Sequence, residues 1–156
     1  MTSPTLKTIL SCTLDPDAGS RLAVGGLLGL RAATGLLIFY IHGWHKLEGG
    51  LAFLRDGTPW RLAEEVAEMH FPAPLASAFA ATAAQFILAP LLAVGVFTRV
   101  SAAILTTVLS VAIAQNILAG RDPQLALLYT LVVAAFIFIG GGRISVDAWL
   151  AARTRR

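Results

Sequence analysis

The chain has a single cysteine, Cys12, among 156 residues. One thiol excludes an internal disulfide and a paired Cys-x-x-Cys redox centre. Any redox chemistry would therefore need a borrowed cofactor or a partner. Charge is scarce as well: Asp, Glu, Lys and Arg make up 13% of the chain, against about 25% in soluble domains. The net charge of +3 comes from scattered or terminal basic residues. They form no basic stripe interleaved with aromatics, which argues against nucleic-acid binding. What the chain has in abundance is apolar sequence. Hydrophobic residues reach 56% and the mean hydropathy is +0.74, so its solvent is mostly lipid.

Residues 1–21 are polar, with Pro4, Pro16, Asp15 and Asp17, and read as a loosely ordered tail. Four apolar segments follow, at about 22–41, 75–97, 100–119 and 124–140. A spanning helix needs about 20 apolar residues, and lipid obliges each span to close its own backbone hydrogen bonds. The fourth segment reaches that length with Gln124 and Gly140–Gly142 at the interfaces. The first is too long for a cleaved leader and is read as retained. Short links at Phe97-Thr98-Arg99 and Gly120-Arg121-Asp122-Pro123 make neighbours antiparallel. The fold class is therefore all-α: an integral membrane four-helix bundle, up-down-up-down, spanning 22–150, with a basic tail at 151–156. Within the long first connection, Thr58-Pro59 resembles an N-cap followed by proline at the first helical position. Leu62, Val66 and Met69 then share one face, giving a short amphipathic helix on the membrane surface or against the bundle mouth.

Eight basic residues fall on the side of the termini and four on the other, which places both termini in the cytoplasm. Helices in lipid associate through small residues. Gly25, Gly29 and Ala33 form one such row, and Ala76, Ala80 and Ala84 another. Pro90 leaves the Phe86 carbonyl without its helical donor and should kink the second span.

Polar groups inside spans normally face the bundle interior. Arg31, Gly35, Ile38, His42 and Lys46 are spaced to share one helix face. Two clusters follow. The outer one gathers His42, Lys46, Gln85, Asn116, Gln124 and Tyr129. It is either a set of interface anchors and cross-helix hydrogen bonds or a pocket for a small polar or quinone-like headgroup, in which His42 titrates near neutral pH. The inner one gathers Arg31, Arg99, Arg143 and Asp147, read as a structural ion-pair network. His42, His45 and His70 form the one conceivable metal set, but no acidic or sulfur ligand has a fixed spacing to them. A bound haem would want histidines on opposing spans, and the later spans have none.

Three motifs carry a family resemblance. Arg31-x-x-x-Gly35 followed by His42-Gly43-x-x-Lys46-Leu47 resembles the first helix of DoxX-type membrane proteins. Gly95-x-Phe97-Thr98-Arg99 resembles the end of their second helix, and Gly140 to Asp147 (GGGRISVD) their closing motif. The resemblance covers about residues 28–150. It implies a small four-helix protein of the bacterial inner membrane, related to the small subunit of an archaeal thiosulfate:quinone oxidoreductase and to proteins linked with sulfur and oxidative-stress redox systems. By position it puts His42 and Lys46 in the outer site and Arg31, Arg99, Arg143 and Asp147 in the inner cluster. Where relatives often carry Glu, His and Glu, this chain has Gln85, Asn116 (or Gln115) and Gln124. His42 and Lys46 are left as the titratable groups of the outer cluster, a pair suited to binding rather than catalysis.

The reading is a non-catalytic accessory subunit of a membrane redox complex, with the lipid bilayer and other membrane subunits as partners and no intrinsic cofactor. The alternative is a subunit that binds quinone or a small sulfur compound for a partner oxidoreductase. A transporter is the weakest option, because no inverted repeat is evident.

Overall fold

The computed structural model describes residues 16–154, with side chains from residue 21 onwards. Every regular element among the described residues is helical. Helix α1 (Pro16–Leu37) runs without a break through a π-helical stretch, Ile38–Trp44, into α2 (His45–Asp56). After α3 (Arg61–Glu68), α4 (Pro74–Ala83) passes through a second π-helical stretch, Ala84–Leu88, into α5 (Ala89–Val94). Helices α6 (Thr98–Leu118), α7 (Gln124–Ile139) and α8 (Val146–Thr154) complete the chain.

Three helical runs are long and apolar enough to cross a membrane: Arg21–Asp56, of 36 residues, and Pro74–Val94 and Thr98–Leu118, of 21 each. The fourth apolar helix, α7, has 16 residues. The second, third and fourth segments lie within a few residues of their expected bounds, but the first does not. It starts at Pro16, inside the expected tail, whose residues 1–15 lie outside the described residues. It also runs far beyond Ile41, because nothing in His42–Lys46 breaks a helix. The stop is Gly57, whose left-handed φ of 68° lets its N–H bond to the Phe53 carbonyl at 3.1 Å. At the other end, α8 takes in residues 151–154 of the expected basic tail.

The amphipathic helix begins at Arg61 rather than Pro59 and has no side-chain cap from Thr58. Trp60 governs this start. Its ring sits against Gly49 and Gly50 and lies 4.7 Å from the Phe79 ring, holding its own backbone extended. Leu62 and Val66 are buried with Trp60 and Ala78. The helix therefore packs on α4 at the mouth of the bundle instead of lying free on the bilayer.

The main core joins Ile38, Leu92, Leu105, Val133 and Phe136 across four helical runs. The small-residue rows do not make these contacts. Among the described residues nothing beyond α1's own backbone lies within 4 Å of where a Cβ on Gly25 or Gly29 would sit, and Ala33, Ala76 and Ala80 are exposed. The packed faces are Arg31–Thr34–Gly35–Ile38 and Ala78–Thr82–Gln85–Ala89. Small size permits close approach, but the polar residues beside it decide which face leaves the lipid. At Gly35 the approach is closest: a Cβ there would meet the Ala89 carbonyl oxygen at 2.5 Å. Pro90 falls in the first turn of α5, so the hydrogen-bonding change it forces coincides with the π-helical stretch just before it.

Candidate functional site

The two π-helical stretches pack against each other, and each supplies a polar residue to one cavity: His42 from the first, Gln85 from the second. Gly43 lets them touch, since a Cβ on it would sit 3.3 Å from the Gln85 carbonyl carbon and oxygen. π-Helical turns recur at functional sites because they redirect side chains out of the α register. Here they turn an imidazole and an amide toward the same space.

That space is a cavity of about 270 Å³ at the His42 end of the bundle. Its size lies just under the roughly 300–1,000 Å³ of pockets for drug-sized ligands, so it suits a small molecule or a headgroup. Lys46, Asn116 and Tyr129 join His42 and Gln85 in lining it, and Leu109, Ala112 and Leu125 supply apolar wall. The Tyr129 ring meets the His42 ring edge-on, centroids 5.7 Å apart. Gln85 is 1% exposed and its Oε1 has no hydrogen-bond partner among the described residues. A buried polar atom without a partner is costly, so this one marks a position where a donor is wanted.

One expected member is elsewhere. Gln124 is exposed at the start of α7 and does not line the cavity; its backbone N–H donates to Asp122 Oδ1 at 2.8 Å. Helix α7 lines it from the next residue instead, through Leu125 and Ala126. The expectation that only His42 and Lys46 titrate there also needs correcting, because Glu65, Arg121 and Asp122 line the same cavity. Glu65, carried in by α3, accepts from Arg121 Nη1 at 2.8 Å, from Arg61 Nε at 2.9 Å and from Gln115 Nε2. Burial pushes the Glu65 carboxyl up, but the hydrogen bonds from Arg121 and Arg61 outweigh it and hold the group below the usual carboxylate range. Its sequence signal was indirect: it lies beside Leu62 and Val66, the apolar pair that docks α3 at the bundle mouth.

His45 points out and pairs with Glu48 at 3.4 Å. Trp44 also bonds Glu48, at 2.9 Å, and its ring lies 6.2 Å from that of Phe86. His70 is exposed. Among the described residues no group of three or more His, Cys, Asp or Glu side chains gathers closely enough to hold a metal.

At the opposite end, the expected ion pairs do not form. Among the described residues Asp147 makes no salt bridge with Arg31, Arg99 or Arg143. Arg31, 1% exposed, donates to backbone carbonyls: Ala93 at 3.3 Å, Val94 at 3.4 Å, Ile144 at 2.9 Å, and Gly141. These carbonyls belong to helix ends and the glycine loop, where no helical donor reaches them. Asp147 caps α6 from outside. It accepts from the Phe97 and Thr98 N–H groups at 2.8 Å each and from the Thr98 hydroxyl at 2.7 Å. Burial pushes its carboxyl up, but the Thr98 and Phe97 donors, aided by the nearby Arg31 charge, hold it below its ordinary value. Arg99 reaches the Phe138 carbonyl at 3.3 Å, and Arg143 is exposed.

Neither a curated protein nor a solved structure gives a significant match to the chain. The DoxX family model matches residues 26–121, from Gly26 within α1 to Arg121 at the cavity wall. That region holds Arg31 and every cavity residue named above up to Arg121, though not the closing Gly140–Asp147 motif. With well over half its length matched, the chain belongs to the DoxX family.

Proposed function

We propose that this DoxX protein is a multi-pass inner-membrane subunit that binds a small hydrogen-bonding headgroup in the His42 cavity and serves a membrane redox complex, without being a catalyst alone. The observation that carries this reading is the buried, unpartnered Gln85 Oε1 on the wall of an apolar-backed cavity. A quinol-type ring fits this set: its hydroxyl can donate to Gln85 Oε1, His42, Lys46 and Tyr129 address its oxygens, and Leu109 and Leu125 cover its faces. Bound there, such a group would supply the electron-carrying chemistry that one cysteine cannot. Glu65 and Asp122 offset Lys46 and Arg121 in charge, which favours a neutral ligand over a small sulfur oxyanion. The excess of basic residues on the terminal side supports cytoplasmic termini, with the cavity opening toward the periplasm.

The test is organic extraction and mass analysis of the gently purified protein. Wild type should carry a quinone or comparable small molecule, whereas His42→Ala and Gln85→Leu should lose most of it. Native mass spectrometry of the same preparation should show partner subunits. Equal ligand content in all three proteins would overturn the binding reading, and a lone monomer would overturn the subunit role.

A further inference from the structure

We propose that the groove at the Arg31 end binds an anionic phospholipid, its phosphate held by Arg143 and Arg153 and an acyl chain lying along Leu28 and Val94. The groove is large, about 820 Å³, and runs between α1, the end of α5 and α8. Its walls are Leu28, Val94, Ile144 and Trp149, with Arg143 beside them. Val94, Ile144 and Trp149 are more than half exposed, at 58%, 54% and 53%. The groove is thus continuous with the exposed apolar surface of the spans, and it closes at the arginine-bearing end of the bundle.

Among the described residues its lining carries Arg31 and Arg143 and no acid. Arg143 lines it without a hydrogen-bond partner among the described residues. The Arg153 guanidinium stacks on the Trp149 ring, 3.8 Å from its centre, and so is held at the rim. Arg21 lies two turns before Leu28, on the same side of α1. Among the described residues Asp147 accepts from three donors at the start of α6 and forms no salt bridge with these arginines. Arg31 is likewise satisfied by carbonyls and forms the floor. Cations over an apolar trough, with an aromatic at the interface, match a phosphodiester on a diacyl chain. A soluble anion would leave the trough bare.

The experiment uses the full chain in mild detergent, with brominated phosphatidylglycerol, brominated phosphatidylcholine or inorganic phosphate added. The readout is the tryptophan quenching that disappears in Trp149→Phe, which isolates the groove. Phosphatidylglycerol should quench at lower concentration than phosphatidylcholine, and inorganic phosphate should not compete. Each arginine removed should weaken that preference about fivefold, so R143Q/R153Q should lose it while Arg55→Gln, at the other end of the molecule, keeps it. Equal quenching by the two lipids, or a preference that survives in R143Q/R153Q, would overturn the proposal. So would displacement of the lipid by inorganic phosphate, which would make the site one for a free anion.

Discussion

Arg31 shows how one side chain can hold three segments of chain. Its donors serve carbonyls at the end of α5 and in the Gly141–Ile144 loop, so truncation leaves one buried and several partly buried acceptors unmet. Arg31→Ala should cost about 3 kcal/mol or more, read as a fall in melting temperature in detergent. Asp147→Ala removes the carboxylate that caps α6 and should cost about 1–2 kcal/mol, whereas Asp147→Asn should recover part of that. The charges at this end were legible in the sequence, but their partners were not. A carbonyl is present at every residue, and which ones lack a donor depends on where the helices stop, at Gly95 and Gly140. Glu65 was hidden for a related reason. In an acidic helix a half-buried glutamate looks like its solvated neighbours Glu64 and Glu68 until the docking of α3 is known.

At the scale of elements, hydropathy located three of the four apolar segments closely, since lipid imposes both their length and their helical state. It misjudged the end of the first because a polar cluster was taken for a stop, while helices end where the backbone can turn, here at Gly57. Packing faces were the least legible, because rows of small residues occur both at contacts and toward lipid. Gly35 and Gly43 separate the two cases. Gly35→Val would drive a side chain into the Ala89 carbonyl and the Ala93 Cβ, which lies 2.8 Å from the ideal Cβ position. The expected cost is about 1–3 kcal/mol. Gly29→Val, with open space around it, should change the melting temperature little. A comparable loss in both variants would contradict the assigned faces.

For the whole molecule, the Glu65 network ties the surface helix α3 to Gln115 near the end of α6 and to Arg121 in the α6–α7 turn. Its pH dependence has a definite sign. Because the folded group is held below its ordinary value, its stabilisation is present above the usual carboxylate pKa of about 4.3. It is lost as pH falls through the lower folded value. Wild type should therefore exceed Glu65→Gln by about 1 kcal/mol at neutral pH, and the two melting curves should converge in acid. A constant gap across that range would rule out the ionised carboxylate as the cause.

The π-helical stretch at Ile38–Trp44 also sets how residues on either side of it are counted. A π turn holds one residue more than an α turn, so the helix beyond it is out of phase with the helix before it. Deleting one residue there would restore a uniform α helix and preserve hydropathy, charge and almost the whole length of the span. It would also rotate everything from Lys46 to Gly50 by about 100° relative to Arg31, swinging the lysine off the cavity and the glycine off the Trp60 ring. In this chain a change of phase, with hydropathy and charge kept, is enough to take the site apart.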